Sequence, residues 1–338
     1  MDYTFMVAVI VVALAFDFFN GFHDSANAIS TIVVTKTLTP GQAVILAGLA
    51  NFVGYFTFGT AVASTVGKGV INIKGIPGEV LLGILGAALL GAVLWNIITW
   101  LLGLPTSSSH ALIGGLVGAA VASQGSGVVL VPGLTRILQF IVIAPLLGGL
   151  AAIVLTNIVL ALSRKARPKP AARVFKILQL ISASVYAFSH GTNDAQKTMG
   201  VIALALVAGG VSADFSLTGA NEWVVLSCYA AMALGTMLGG WRIVKTMGTR
   251  ITKIHAMEGF CAETASSAVM LITAHYGIPV STTHVIAGSI MGVGTVERAA
   301  GVRWVTARKI VWAWFLTIPF TALAAALCYI VISFLFRF

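Results

Sequence analysis

Two stretches of this sequence set a carboxylate among amides, hydroxyls and imidazoles: Asn20–Asn27 (NGFHDSAN) and Ser189–Lys197 (SHGTNDAQK). Two others are hydroxyl runs led by proline and closed by histidine: Pro105–His110 (PTSSSH) and Pro279–His284 (PVSTTH). Carboxylates with asparagine amides, hydroxyls and exposed carbonyls make a hard-oxygen site for a cation. Asp24, Asn27, Asn193 and Asp194 are the candidate ligands. If the cation is Na⁺, Asp24 and Asp194 are its expected carboxylates. The proline-led runs suit the opposite charge. Proline breaks the helix ahead of it and is tolerated in a first turn. Ser and Thr then cap the new helix. Its first N–H groups are unpaired and carry the positive end of the helix dipole. Aimed inward, such a start suits an oxyanion. Ser107, Ser108 and Ser109, with Ser281, Thr282 and Thr283, can donate to a tetrahedral anion.

Each motif also has a plainer reading. Capping and small-residue packing would explain one hydroxyl run; two at matching positions favour the cradle. His110 and His284 read as packing residues rather than ligands, and the roles of His23 and His190 stay open. Lys197 either balances substrate charge or pairs with Asp194. Asp17 is equally divided between a buried pair and function, and Glu258 reads as interfacial. Glu263 stands alone between Phe260 and Val269, where an ionisable group costs about 2.5–3.5 kcal/mol at the bilayer centre, so it joins the cation candidates.

The matrix around these residues is apolar. Of 338 residues, 58% are hydrophobic and 9% charged, against roughly 25% charged in soluble domains. A soluble or disordered chain is excluded. The apolar runs lack the alternation of a membrane β-barrel, leaving an all-α polytopic membrane protein whose first partner is the lipid bilayer. The net charge of +10 does not point to nucleic acid, because the basic residues sit between apolar runs. Cys228, Cys261 and Cys328 have neither redox nor metal spacing. The first apolar run reads as a retained helix rather than a signal peptide. Nothing in the sequence sets the oligomeric state, and a homodimer is one allowed assembly.

Apolar segments run 4–19, 42–63, 80–103, 137–162, 174–188, 199–211, 223–241, 254–276 and 309–336. Shorter ones, 110–122 and 284–294, are re-entrant or half-length. The basic, proline-bearing stretch Ser163–Arg173 is the linker between a first unit, 1–162, and a second, 174–338. These units resemble each other. Pro105–Gly118 and Pro279–Gly292 share the proline, first serine, histidine and two glycines. Gly21–Asp24 answers Gly191–Asp194, and Gly54, Gly59, Thr65 and Gly67 answer Gly235, Gly240, Thr246 and Gly248. Three matches in one order argue for duplication.

With the linker in the cytoplasm, the basic stretches Arg242–Lys253 and Arg298–Lys309 fall on its side, and the acidic loop Val211–Glu222 falls outside. Both termini are then external. Matching segments cross in opposite senses, so two inverted-topology repeats with broken or re-entrant helices meet at a midplane site, the architecture of secondary transporters.

Asp24 and Asp194, equivalent in the two repeats, should face each other. At an effective dielectric of about 20, like charges near 4 Å repel by roughly 4 kcal/mol. Cations must enter with the anion, one at each aspartate. This couples the two ligands, since each binds better with the other present.

GFHDSANA, GTNDAQKTMG and the paired proline-led tips resemble the inorganic phosphate transporter (PiT) family over almost the whole chain. The resemblance implies a non-enzymatic phosphate symporter driven by Na⁺ or H⁺, with no cofactor. It also implies a joint site of Asp24, Asn27, Asn193, Asp194, Gln196 and the Ser/Thr tips, with Glu263 contributing. Where some relatives carry an acid this chain has Asn51, which removes one carboxylate from a cation site or proton relay. Na⁺ is favoured, because Asn27, Asn193 and the hydroxyls offer the neutral oxygens a metal ion needs. A sulfate permease of the same family is the alternative, followed by an anion channel. A compact prokaryotic member in the cytoplasmic membrane fits the short linker.

Overall fold

The computed structural model describes residues 3–56, 61–297 and 299–337. Gly59 of the repeat match, Arg298 of the second basic stretch and part of segment 42–63 lie outside them. Among the described residues the chain forms α1 (Tyr3–Val34), α2 (Pro40–Val53), α3 (Ala61–Gly69), α4 (Gly78–Leu102), α5 (Ser108–Gln124) and α6 (Val131–Ser163). After the linker come α7 (Pro168–Ala208), α8 (Glu222–Leu238), the short α9 (Trp241–Lys245), α10 (Ala256–His275), α11 (Thr282–Glu297) and α12 (Trp304–Phe336). Five helices are long and apolar enough to cross a membrane, or up to seven if two bent pairs each count as one span. Helices close their backbone hydrogen bonds internally, which hydrocarbon requires. The protein is a multi-pass membrane protein.

The structure corrects three expectations. Segments 4–19 and 174–188 do not stop at the acidic motifs: α1 and α7 run unbroken through them, and segment 199–211 continues α7, a helix of 41 residues, as far as Ala208. Their glycines permit close packing instead. A Cβ on Gly191 would lie 2.9 Å from the Cα of Asn51 on α2, and one on Gly21 would lie 2.9 Å from the carbonyl carbon of Met232 on α8. The linker is also shorter than expected. Pro168 opens α7, so 164–167 alone separate the long helices, as proline at a first helical position allows. Finally, Pro105 and Pro279 precede the half-helices rather than entering their first turns.

The long helices define two faces. On the linker face Lys176 donates to the carbonyl of Lys36, Arg303 to that of Thr249, and Thr252 to that of Gly301. On the opposite face Ile71 bridges Val129, and the rings of Phe5 and Phe336 lie 4.6 Å apart. Described residues near both termini thus share the face away from the linker. The α4–α5 hairpin returns to this terminus face and the α10–α11 hairpin to the linker face.

The two sequence units interleave. The half-helix α5 packs on α12 of the second unit, and α11 packs on α6 of the first. Pro145 and Pro319 occupy matching places inside α6 and α12. A Cβ at Gly288 would meet the Cα of Pro145 at 2.7 Å, and one at Gly114 would meet the Cα of Ile318 at 2.9 Å. The repeated glycines therefore let half-helix and long helix touch backbone to backbone. Both hydrophobic cores draw on both units, and α1 and α7 run through each.

Candidate functional site

The site lies where α1 and α7 pass each other and both hairpin tips arrive. Ser107 caps α5 by accepting from the N–H of His110 at 3.1 Å, and Ser281 accepts from the N–H of His284 at 3.2 Å. Each cap turns the following hydroxyls and free N–H groups inward. The tips touch, with Thr283 donating to the carbonyl of Thr106 at 3.1 Å and the rings of His110 and His284 4.7 Å apart. Trp314 braces them by stacking on His284 at 4.1 Å and donating to the carbonyl of Pro105 at 3.2 Å.

Asp24 and Asp194 do face each other. Their carboxylate oxygens and a nitrogen of His190 all lie within 4.8 Å of one another, and all three residues are buried. Thr283 Oγ1, whose one proton is shared between the Thr106 carbonyl and Asp24, lies 3.4 Å from Asp24 Oδ1, and Thr282 donates to Asp194 Oδ2 at 3.1 Å. One tip therefore addresses both carboxylates. His23 holds Asp24 with Nδ1 at 2.9 Å while its Nε2 meets Thr99 Oγ1 at 3.1 Å. His190 Nε2 approaches Asp194 Oδ2 at 3.3 Å without an aligned hydrogen bond, and its Nδ1 meets Asn51 Oδ1 at 3.2 Å. Asn51 thus orients His190 and in turn donates to Thr236 at 2.8 Å.

Asn27 donates through Nδ2 to Thr283 at 2.9 Å, leaving its Oδ1 buried without a partner. Both amide atoms of Asn193 and the hydroxyl of Ser108 are likewise buried and unpartnered. Most buried polar atoms in proteins are hydrogen-bonded, so these atoms, among them Asn27 Oδ1 beside the Thr283 contact to Asp24, are open to a ligand. They offer oxygens beside a carboxylate and a hydroxyl at a helix start.

Lys197 takes one of its two expected roles, while Gln196 and Glu263 fall differently from the sequence reading. Lys197 forms an ion pair with Asp194 and also meets Ser109 Oγ at 2.5 Å. Asp194 is therefore already compensated, which revises the expectation of one cation at each aspartate. Gln196 commits its amide elsewhere, accepting from the N–H of Val62 and donating to the carbonyl of Thr192. Glu263 lies apart, in a nest where Thr31, Ser182 and Gln179 donate to it. Thr31 is two turns beyond Asp24 on α1, about 10 Å toward the linker face at 1.5 Å per residue. Asp17 accepts from Thr198 at 3.0 Å on the other side of the centre. His23, His190 and Asn51 were not assigned roles by sequence reasoning. Their signal was present, since each is a polar residue in or beside an apolar run.

The fold and this site define a polytopic membrane protein with paired helix starts and carboxylates buried at its centre. The chain belongs to the phosphate transporter family, whose sequence profile matches residues 20–173 and 162–325. It is 48% identical over 330 residues to a probable low-affinity inorganic phosphate transporter of Rhizobium meliloti (strain 1021), covering 97% of each chain. It is 40% identical to one of Bacillus subtilis (strain 168), covering 98% of each. Its fold is similar to a solved structure, the sodium-dependent phosphate transporter, with a TM-score of 0.89 and 23% identity over 98% of this chain and 99% of that one.

Proposed function

We propose that this protein moves inorganic phosphate together with a cation across the cytoplasmic membrane. It acts as two inverted repeats rocking about the shared site, with the linker in the cytoplasm and both termini outside. One observation carries the reading: helix starts entering from opposite faces meet at the buried aspartates, Thr282 and Thr283 reaching Asp194 and Asp24, and Ser109 reaching Lys197, the partner of Asp194. Hydroxyls and helix starts favour an anion, and the carboxylates admit it only once neutralised. Cation and anion therefore bind better together. Na⁺ is favoured over H⁺, because the side-chain oxygens of Asn27 and Asn193 are buried and unpartnered. Na⁺ is also the ion named for the solved protein of like fold.

The test is uptake of labelled phosphate and sulfate by proteoliposomes under imposed Na⁺ or H⁺ gradients. Accumulation of phosphate against its own gradient, driven by Na⁺, is expected. Purely downhill flux would make the protein a channel. Better sulfate accumulation would reverse the substrate, and pH-driven uptake in Na⁺-free buffer would change the ion.

A further inference from the structure

The motifs on α1 and α7 differ in the side chain that each sends to a hairpin tip. On α1, Asp24 is followed three residues later by Asn27, which donates to Thr283 at the tip of α11. On α7, Asp194 is followed three residues later by Lys197, which donates to Ser109 at the tip of α5. Ser109 and Thr283 hold the same place in the two hydroxyl runs, just before the histidine. One contact, from a long helix to the tip of the other unit, is thus made by an amide in one half-site and by an ammonium in the other.

The ammonium fills its half-site. Lysine has three N–H donors, and Lys197 Nζ meets three acceptors: the Asp194 carboxylate, Ser109 Oγ and the carbonyl of Val280 at 3.0 Å. Lys197 is 3% exposed and Asp194 is fully buried, so neither charge is relieved by water. The other half-site differs on every count. Asp24 has His23 and a long contact from Thr283, while the side-chain oxygen of Asn27 stays unpartnered. A buried carboxylate without a compensating charge is strongly unfavourable; α1 carries no lysine or arginine, and Asp24 has beside it the imidazole of His23 at 2.9 Å, not a fixed cation.

We infer that Lys197 is a tethered coupling cation: it permanently holds the charge of the α7 half-site, so one free cation, bound at Asp24, travels with each phosphate. This rests on the symport reading above and adds its stoichiometry. Two equivalent carboxylates without the lysine would require two.

The stoichiometry is read from static head in proteoliposomes of the full chain, with labelled phosphate, equal pH on both sides and the membrane potential clamped at zero. A tenfold cation gradient then balances a phosphate gradient of about tenfold if one cation moves, and about a hundredfold if two move. About tenfold is expected for the wild type. Lys197→Asn gives α7 the Asp–Asn pair of α1 and is expected to raise the balance to about a hundredfold. Lys197→Arg keeps the charge and should hold it near tenfold. A wild-type balance near a hundredfold, or an active Lys197→Asn variant still balancing near tenfold, overturns the inference. If Lys197→Asn does not fold, the wild-type and Lys197→Arg balances decide. If Na⁺ drives no uptake, the same balance is read with a pH gradient in Na⁺-free buffer; absence of accumulation under either gradient removes the symport reading itself, and this inference with it.

Discussion

Asn27 on α1 donates to Thr283 at the tip of α11 across 2.9 Å, joining the first sequence unit to the hairpin of the second. Thr283 in turn contacts Asp24 and the backbone of the other tip at Thr106. The tip hydroxyl therefore links Asp24 to both hairpin tips.

Asp24→Asn is the direct test of this linkage. The amide keeps the size of the side chain but needs no cation. The variant is expected to fold and to equilibrate phosphate downhill, with accumulation driven by a cation gradient falling to background. Full gradient-driven accumulation would show that Asp24 is not the coupling carboxylate.

Neighbouring serines at the α5 start should separate into two kinds of effect. Ser107 is the cap, so Ser107→Ala should lower stability by about 1 kcal/mol, read as a lower unfolding temperature in detergent. Ser108 is buried with a free hydroxyl. Ser108→Ala should leave the unfolding temperature in place and weaken phosphate binding about tenfold, the value of one hydrogen bond to a charged group. Unchanged binding in Ser108→Ala would return this hydroxyl to packing.

Glu263 sits in its own hydrogen-bonded nest, away from the tips. Glu263→Gln should therefore change equilibrium phosphate affinity by less than about twofold, as for distant sites that do not share partners. Loss of a charged acceptor for three donors should slow uptake several-fold. A large loss of equilibrium affinity with no change in rate would place Glu263 in the anion site.

Sidedness can be read by cysteine labelling in a background without Cys228, Cys261 and Cys328. A cysteine at Lys169 should react only with reagents that reach the cytoplasm, and one at Ala213 only from outside. The opposite pattern at either position would invert the assignment of the two faces.

Composition and motif spacing were enough to establish a helical membrane protein with short helices after two proline-led runs. They also paired Asp24 with Asp194 and one hydroxyl run with the other, from matching motifs in the two halves of the sequence, and these residues meet in the structure. Local chemistry sufficed for the caps at Ser107 and Ser281, which depend on neighbours three residues away. It did not suffice for the acidic motifs. Glycine and polar residues look alike in sequence whether they break a helix or let another helix approach, and only the packing of Asn51 on Gly191 and Met232 on Gly21 shows the latter. Nor could spacing decide among partners far apart in the chain. The tertiary structure put Lys197 onto Asp194 and Ser109, Gln196 onto Val62, and Glu263 beside Thr31 and Ser182. A buried charge or amide must find a partner, but which one depends on helices crossing from the other half of the chain.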